Sequence, residues 1–345
     1  MTCRTLSLVF SLLIAGSGVD AGEAATSVPA GQPLSSTVVS LDGDQWLLAT
    51  DSKNEGREAK WFEAPRPEAK PTKVPWIIQE VFPGQHGVAW YWRDFTVPRN
   101  PHDQGCYLLR FWAVDYKADV WLNGVPVGQH EGGEDPFVLD VTGVVKPDAP
   151  NRIAVRVLNP SYEPIDGIVL GQTPRRNKTH PYTPGSDYNY GGVTDSVELL
   201  VTPAVRVQDL FARPDPATGE IRLQLTAVNA GKSPVKVRLH FAVAPAASGE
   251  TLDVAQVERE LPPGETQIEA ALLVAQPHFW DLNDPYLYRV SARATADGSR
   301  SFDEQSARCG FRDFRFADGC FRLNGRRLYL KSSHTGAGIP FRRVK

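Results

Sequence analysis

Eight tryptophans give this 345-residue chain a means of binding a ligand, because the flat face of an indole ring can stack on a sugar. Trp112 and Trp121 lie in segments that alternate with period two, so we predict that both belong to a core. Trp61 and Trp76 lie between proline-rich segments, so we predict that these two make surface contacts. Trp61, Trp76, Trp90, Trp92, Trp112 and Trp121 all fall within the first half of the chain.

Cysteine spacing and charge exclude other kinds of site. The four cysteines contain no Cys-x-x-Cys pair, so we expect no metal site, and we expect no cofactor. A net charge of −3 and a pI near 6.2 argue against nucleic acid as a partner. After Cys309 the chain has seven Arg and two Lys against two Asp. That excess fits either a tail that binds an anionic surface or the start of a domain whose acidic residues come later.

The first 21 residues predict a signal peptide. Arg4 precedes an apolar stretch from Leu6 to Gly16, which is shorter than the roughly 20 residues that span a bilayer. Val19-Asp20-Ala21 fits a cleavage site, so we expect a secreted or periplasmic protein without a membrane partner. Removal of Cys3 leaves three cysteines, which allow one disulfide at most and leave its pairing open: Cys106, Cys309 and Cys320.

Short alternating strands separated by turn residues predict an all-β protein. Asn123-Gly124 between two apolar runs predicts a hairpin, because both turn positions need positive φ. Strands at roughly ten-residue spacing over residues 36–202 indicate an antiparallel sandwich or jelly roll. Residues 203–309 have the size of one immunoglobulin-like sandwich, near 100 residues. Within the first of these stretches, residues 163–190 are polar, proline-rich and irregular.

Five motifs, in order, resemble those of glycoside hydrolase family 2, the β-galactosidase, β-glucuronidase and β-mannosidase relatives. They are Asp119-Val-Trp-Leu-Asn-Gly-Val-Pro-Val-Gly128 with His130, Gly133 and Pro136-Phe137; Tyr188-Asn-Tyr-Gly-Gly-Val-Thr-Asp-Ser-Val-Glu-Leu199; Phe279-Trp280 with Asn283-Asp-Pro-Tyr-Leu-Tyr288; Gly310-Phe-Arg-Asp-Phe314; and Phe321-Arg-Leu-Asn-Gly-Arg-Arg-Leu-Tyr-Leu-Lys331. The resemblance implies a sugar-binding jelly roll, an immunoglobulin-like sandwich and, at residues 310–345, the orphaned start of a catalytic (β/α)₈ barrel.

The resemblance also implies two catalytic glutamates on that barrel, and a barrel takes roughly 250 residues. No Glu follows Cys309, and the one Asn-Glu pair, Asn54-Glu55, lies in a polar segment far from any barrel strand. We therefore assign no catalytic residue and expect the 345-residue chain to be inactive alone.

Three residues are candidates for substrate binding through the resemblance. Asp187 and Asn189 lie near the place where the family's jelly roll sends an acidic residue toward the substrate, although turn bonding in an irregular loop would also explain Asp187. His334 follows the first barrel strand, where relatives place a histidine at the sugar; without a barrel it would be a tail residue.

Two functions remain open. The chain is either the N-terminal part of an exported family 2 glycosidase or a non-catalytic carbohydrate-binding or adhesion protein. An apolar hairpin and strand at 323–334 with nothing to close against would serve a binding protein poorly, and so favours the glycosidase. In both cases the expected partner is carbohydrate, and a homo-oligomer remains open.

Overall fold

The computed structural model describes residues 33–173 and 189–331, and the predicted signal peptide, Asp187 and His334 lie outside these ranges. Apart from two short 3₁₀ turns, Ile78–Glu80 and Leu170–Gln172, the regular elements of the described residues are strands. The first group is β1 (Leu34–Ser35), β2 (Thr37–Ser40), β3 (Gly43–Asp51), β4 (Lys70–Val74), β5 (Gly87–Thr96), β6 (Cys106–Phe111), β7 (Val114–Asp115), β8 (Lys117–Leu122), β9 (Val125–Glu131), β10 (Phe137–Asp140), β11 (Pro150–Asn159), β12 (Gly192–Val193) and β13 (Val197–Thr202).

The strands after Pro203 form the second group. They are β14 (Val205–Pro214), β15 (Glu220–Asn229), β16 (Val235–Pro245), β17 (Asp253–Leu261), β18 (Gly264–Leu273), β19 (Tyr288–Ala296), β20 (Ser301–Cys309), β21 (Phe314–Ala317), β22 (Cys320–Leu323) and β23 (Arg326–Leu328). The prediction of an all-β protein is confirmed.

The first sandwich packs a six-stranded sheet, β4-β3-β5-β11-β8-β9, on a four-stranded sheet, β10-β6-β13-β2. Inward side chains of both sheets form one core, which includes Tyr91, Leu109, Val155 and Leu199. Strands β5 and β11 are buried along most of their length. A strand buried on both faces needs a second cover on its outer side.

A layer of tryptophans supplies that second cover on the outer face of the six-stranded sheet. Trp90, Trp92 and Trp121 form a cluster with Trp61, which comes from the cover segment, residues 52–69. The indole of Trp92 donates a hydrogen bond to the Trp61 carbonyl (2.7 Å). Trp121 is in a core as predicted, but the surface prediction for Trp61 is wrong, because it is only 7% exposed beneath its own segment.

Trp112 is the opposite case. It directly follows β6 on the outer face of the four-stranded sheet and is 40% exposed, so the core prediction for it is wrong. The alternating pattern is real, since Leu109 and Phe111 point into the core. Alternation fixes which side chains share a face, but it does not tell whether another segment covers that face.

The second sandwich has its own core between a five-stranded sheet, β1-β20-β19-β16-β17, and a three-stranded sheet, β14-β15-β18. Strand β1 pairs in parallel with β20, so the chain visits this sandwich before it builds the first one. Buried Asp303 fixes the junction by accepting hydrogen bonds from the Ser36 hydroxyl and from the Val207 backbone (2.8 Å). Phe311 is fully buried in this core, beyond Cys309.

A small sheet of β21, β22 and β23 follows the second sandwich. Its turn at Asn324-Gly325 has positive φ at both residues (49° and 78°), which is the geometry that an Asn-Gly hairpin requires. The three cysteines considered for a disulfide are all free thiols: Cys106, Cys309 and Cys320.

The predicted hairpin at Asn123-Gly124 has φ of 53° and 80°. The Asn123 side chain also holds the neighbouring strand end: it donates to the Val144 carbonyl (2.9 Å) and to Asn151 Oδ1 (2.9 Å), and it accepts from the Arg152 amide (3.0 Å). Asn123 therefore satisfies both the backbone of the turn and polar groups beside it.

We expect Asn123→Gly to lower the free energy of unfolding by about 1–3 kcal/mol, because it keeps the positive φ but loses three hydrogen bonds. Asn123→Val should lower it by about 1–2 kcal/mol more, because a β-branched residue resists the left-handed region. Urea denaturation of both variants and the wild type measures the two effects. Equal stability of the two variants would show that the backbone conformation contributes nothing here.

Candidate functional site

Two asparagines clamp the ends of the connecting segment, residues 160–188, at one end of the first sandwich. Asn159 is the last residue of β11 and Asn189 lies just before β12; both are buried. Asn159 Nδ2 donates to Asn189 Oδ1 (3.0 Å), and the Asn189 amide donates to the carbonyl of Pro160. The segment therefore leaves and rejoins the sandwich at one point.

Other polar side chains complete this clamp. Gln79 Nε2 donates to Asn159 Oδ1 (2.9 Å), and His86 Nδ1 lies 3.0 Å from the same oxygen. The Gly191 backbone amide donates to Gln79 Oε1 (3.3 Å). At Gly191 a side chain would lie 2.5 Å from Asn159, so glycine is required for this close approach.

The clamp shows where the predicted site residues lie. The side-chain amide of Asn189 is hydrogen-bonded to Asn159 and Pro160. Asn189 therefore holds the end of the connecting segment in position. Its contact with a sugar stays a prediction. Asp187, two residues before it, and His334 are outside the described residues.

Acidic side chains lie beside the clamp. Asp115 in β7 is buried and pairs with Gly192 of β12, and a side chain at Gly133 would lie 2.7 Å from its carboxylate. The Tyr116 hydroxyl donates to Glu131 Oε1 (3.0 Å). Burial, together with this acceptor, raises the pKa of Tyr116 to about 12, so the hydroxyl stays a donor at neutral pH.

An arginine–aspartate cluster, which the sequence analysis missed, fixes the first part of the connecting segment. The cluster consists of Arg57, Asp119, Arg156 and Asp166. Fully buried Arg156 in β11 donates to Asp119 Oδ2 (3.0 Å) and to Asp166 Oδ2 (2.8 Å). Arg57 of the cover segment donates to the same two carboxylates, at 2.6 and 2.9 Å. A charged residue inside the apolar run from Ile153 to Leu158 was the available signal.

Asp166 is the member of the cluster that belongs to the connecting segment. Its partial burial alone would raise the pKa of this carboxyl. The hydrogen bond from Asn54 and the charges of Arg156 and Arg57 outweigh burial, so the pKa of Asp166 is lowered. Asn54 has a positive φ of 55° and accepts a hydrogen bond from Arg156. The asparagine of the Asn54-Glu55 pair therefore has a structural role.

An open cleft of about 480 Å³ lies between the clamp and the cluster. Its volume falls in the range of small-molecule sites, and its polar lining suits a ligand rich in hydroxyl groups. The lining includes Asn54, His86, Ser161, Glu163 and Asp166.

Two further properties follow for the described residues. They hold no group of three or more His, Cys, Asp or Glu side chains that could bind a metal ion. Within the same ranges, no helix has the length and apolar character to cross a membrane.

Comparisons with known proteins agree with the two sandwiches. Residues 77–203 match the model of the glycosyl hydrolases family 2 sugar binding domain, and residues 205–312 match that of glycosyl hydrolases family 2. The chain belongs to glycosyl hydrolase family 2. The resemblance to this family is thereby confirmed.

Several family relatives are β-glucuronidases. The β-glucuronidase of Paenibacillus borealis is 27% identical over 304 residues, which are 83% of this chain and 47% of that protein. The dog enzyme is 28% identical over 320 residues, 84% of this chain and 47% of that protein. The chain thus spans about half the length of the curated relatives it matches.

Solved structures of family 2 proteins share the fold. A member from Bacteroides cellulosilyticus aligns with a TM-score of 0.67 and 25% identity, covering 85% of this chain and 39% of that one. The β-glucuronidase from Ruminococcus gnavus in complex with uronic isofagomine aligns with a TM-score of 0.66 and 25% identity, covering 86% of this chain and 48% of that one.

We expect Asp166→Asn to lower the free energy of unfolding at pH 7 by about 2 kcal/mol, because it leaves Arg156 with one carboxylate fewer in a buried place. Since the pKa of Asp166 is lower in the folded state, its contribution is full above the unfolded value near 3.9 and is lost as pH falls through the folded value. The stability difference between wild type and variant should therefore narrow below about pH 5.

Asp94→Asn is the matched control, because Asp94 pairs with Arg152 at 2.6 Å but has a carboxylate that is 61% exposed. It should change stability by less than about 1 kcal/mol. Urea denaturation between pH 7 and pH 3 gives all three curves. A difference for Asp166→Asn that stays constant with pH would contradict the assigned ion pair.

Proposed function

We propose that the chain is the N-terminal, non-catalytic part of an exported family 2 glycosidase that acts on β-D-glucuronides. One observation carries the proposal: the two family matches cover the sugar-binding and following domains in order, in a chain that spans 47% of β-glucuronidase relatives. The uronic isofagomine complex of the R. gnavus enzyme supports a uronide as the sugar.

Catalysis by a retaining glycosidase needs two carboxylates about 5–5.5 Å apart, one as acid/base and one as nucleophile. Three acidic groups at the candidate site already have partners: Asp119 and Asp166 neutralise two arginines, and Glu131 accepts a hydrogen bond from Tyr116. This supports the proposal that the 345-residue chain does not cleave glycosides alone. Its two sandwiches would instead support a catalytic domain.

The clamp and the cluster support a part for the first sandwich in substrate binding. They hold Asp166, near the start of the connecting segment, and Asn189, just after its end. We assign substrate binding to Asp187, with Asn189 as the positioning residue two places later. A hydroxyl of the sugar would donate to the Asp187 carboxylate.

Activity is tested with two products, the 345-residue chain and the chain extended by the coding sequence that follows Lys345 at its locus. We expect the extended product to hydrolyse 4-nitrophenyl β-D-glucuronide and the 345-residue chain to give no turnover above buffer. Hydrolysis by the shorter chain would contradict its assigned role. Cleavage of 4-nitrophenyl β-D-galactoside alone by the longer product would contradict the substrate.

Export is the remaining part of the proposal, and it rests on residues 1–21. Residues 1–32 fused to an alkaline phosphatase without its own leader should give phosphatase activity outside the cytoplasm of a bacterial host. Leu12→Arg with Leu13→Arg is the matched control, because two charges in the apolar stretch should abolish export. Equal activity of both fusions would contradict a signal peptide.

A further inference from the structure

The open face of the four-stranded sheet carries a fixed, exposed indole. Arg110 and Trp112 point away from the core, and Trp112 is 40% exposed while its neighbours Leu109 and Phe111 are buried. The opposite sheet hides its outer tryptophans beneath the cover segment, so the two outer faces of the sandwich differ. Trp112 is therefore an aromatic surface that the proposed glycosidase function does not use.

Hydrogen bonds hold this indole in place. Trp112 Nε1 donates to Glu198 Oε2 (2.9 Å), and Arg110 donates to the same oxygen through Nε (2.8 Å) and Nη2 (2.6 Å). The Arg110 guanidinium lies over the indole, 4.6 Å from the ring centroid. A ligand that stacks on the ring would have little side-chain entropy to remove.

The surroundings of the indole combine apolar and polar groups. Val138 lies opposite Arg110 in the sheet and is 49% exposed, which extends the apolar surface beside the ring. Among the described residues, no hydrogen bond reaches Glu198 Oε1, so this oxygen can accept one from a ligand hydroxyl. Arg110 and Glu198 neutralise each other in an ion pair through Oε2, so the pair offers no net charge to an ionic ligand.

We propose that Trp112, Arg110, Glu198 and Val138 form a second sugar-binding site, which takes a neutral pyranose unit of a polysaccharide. The C–H face of the sugar stacks on the indole and a hydroxyl donates to Glu198 Oε1. A neutral sugar fits better than a uronate, because Arg110, the cation that the described residues place over the ring, is already paired. This site does not depend on the proposed glucuronidase activity.

The proposed site lies close to the clamp, so it could keep a bound polysaccharide near the connecting segment. Trp112 is three residues from Asp115, which pairs with β12 just after Asn189, so the two places lie within about 11 Å along the chain. Ala113 links them further, because its carbonyl accepts from the amide of Thr194 (3.1 Å). A polysaccharide held at Trp112 would thus stay close to the connecting segment.

Native affinity electrophoresis of the 345-residue chain tests the proposal with four gels, containing mixed-linkage β-glucan, glucomannan, galactomannan or polygalacturonate. We expect at least one neutral polysaccharide to retard the wild type and polygalacturonate to leave it unchanged. The dissociation constant obtained from the retardation should rise at least tenfold in Trp112→Ala and about threefold in Trp112→Phe. Phe211→Ala, which removes a 52% exposed aromatic from the second sandwich, is the matched control and should bind as wild type.

Other outcomes overturn the site. These are equal retardation of Trp112→Ala and wild type, retardation by polygalacturonate alone, or no retardation in any gel. Sedimentation of the protein without polysaccharide measures its oligomeric state. A dimer that Trp112→Ala abolishes would mean that a second copy of the chain, and not a sugar, covers this face. Because Trp112 is exposed, its variants should melt within a few degrees of wild type, and the milder Trp112→Phe keeps the test valid if Trp112→Ala unfolds.

Discussion

The buried guanidinium of Arg156 determines how one whole face of the first sandwich is arranged. A charge without water must be paired, and the carboxylates that pair it come from β8 and from the connecting segment. Both carboxylates also bind Arg57, which belongs to the cover segment. Four stretches of chain are thus tied together: β8, β11, the cover segment and the connecting segment. Releasing any of them would leave a charge without one of its partners. The tryptophan layer beneath the cover segment is consequently closed.

The clamp formed by Asn159 and Asn189 depends on that arrangement. Backbone groups outside a sheet must be satisfied locally or by side chains. Here the start of the connecting segment is held by Asp166 and its two ends are joined through the asparagine amides. Position is therefore imposed from outside the segment, by groups on a sheet. Groups held on a rigid sheet can place the ends of a loop more accurately than the loop can place them itself.

Much of this fold could be predicted from the sequence, and the failures have a common cause. Period-two alternation and the Asn123-Gly124 turn are local signals, and the sheets and hairpin agree with them. Coverage of a face is not local: Trp61 is buried because its own segment folds over the sheet, and Trp112 is exposed because its face is open. Arg156 occupies a position in β11 where the alternation would equally allow an apolar residue. The pattern therefore does not indicate which carboxylates pair with it. For the candidate site, Asn189 was identified by a family motif, but its buried neighbours Asn159 and Gln79 are brought to it by tertiary contacts.

The two outer faces of the first sandwich now have different physical characters. Under the cover segment, opposite charges are buried in a network whose partial loss would leave charges unpaired, so that face resists substitution and rearrangement. On the open face, the charges of Arg110 and Glu198 are half-buried and already paired, and they orient an indole that remains accessible. A surface of the second kind can change its ligand by small substitutions without loss of the fold. Binding specificity can therefore vary on the open sheet while the covered sheet keeps the connecting segment in place.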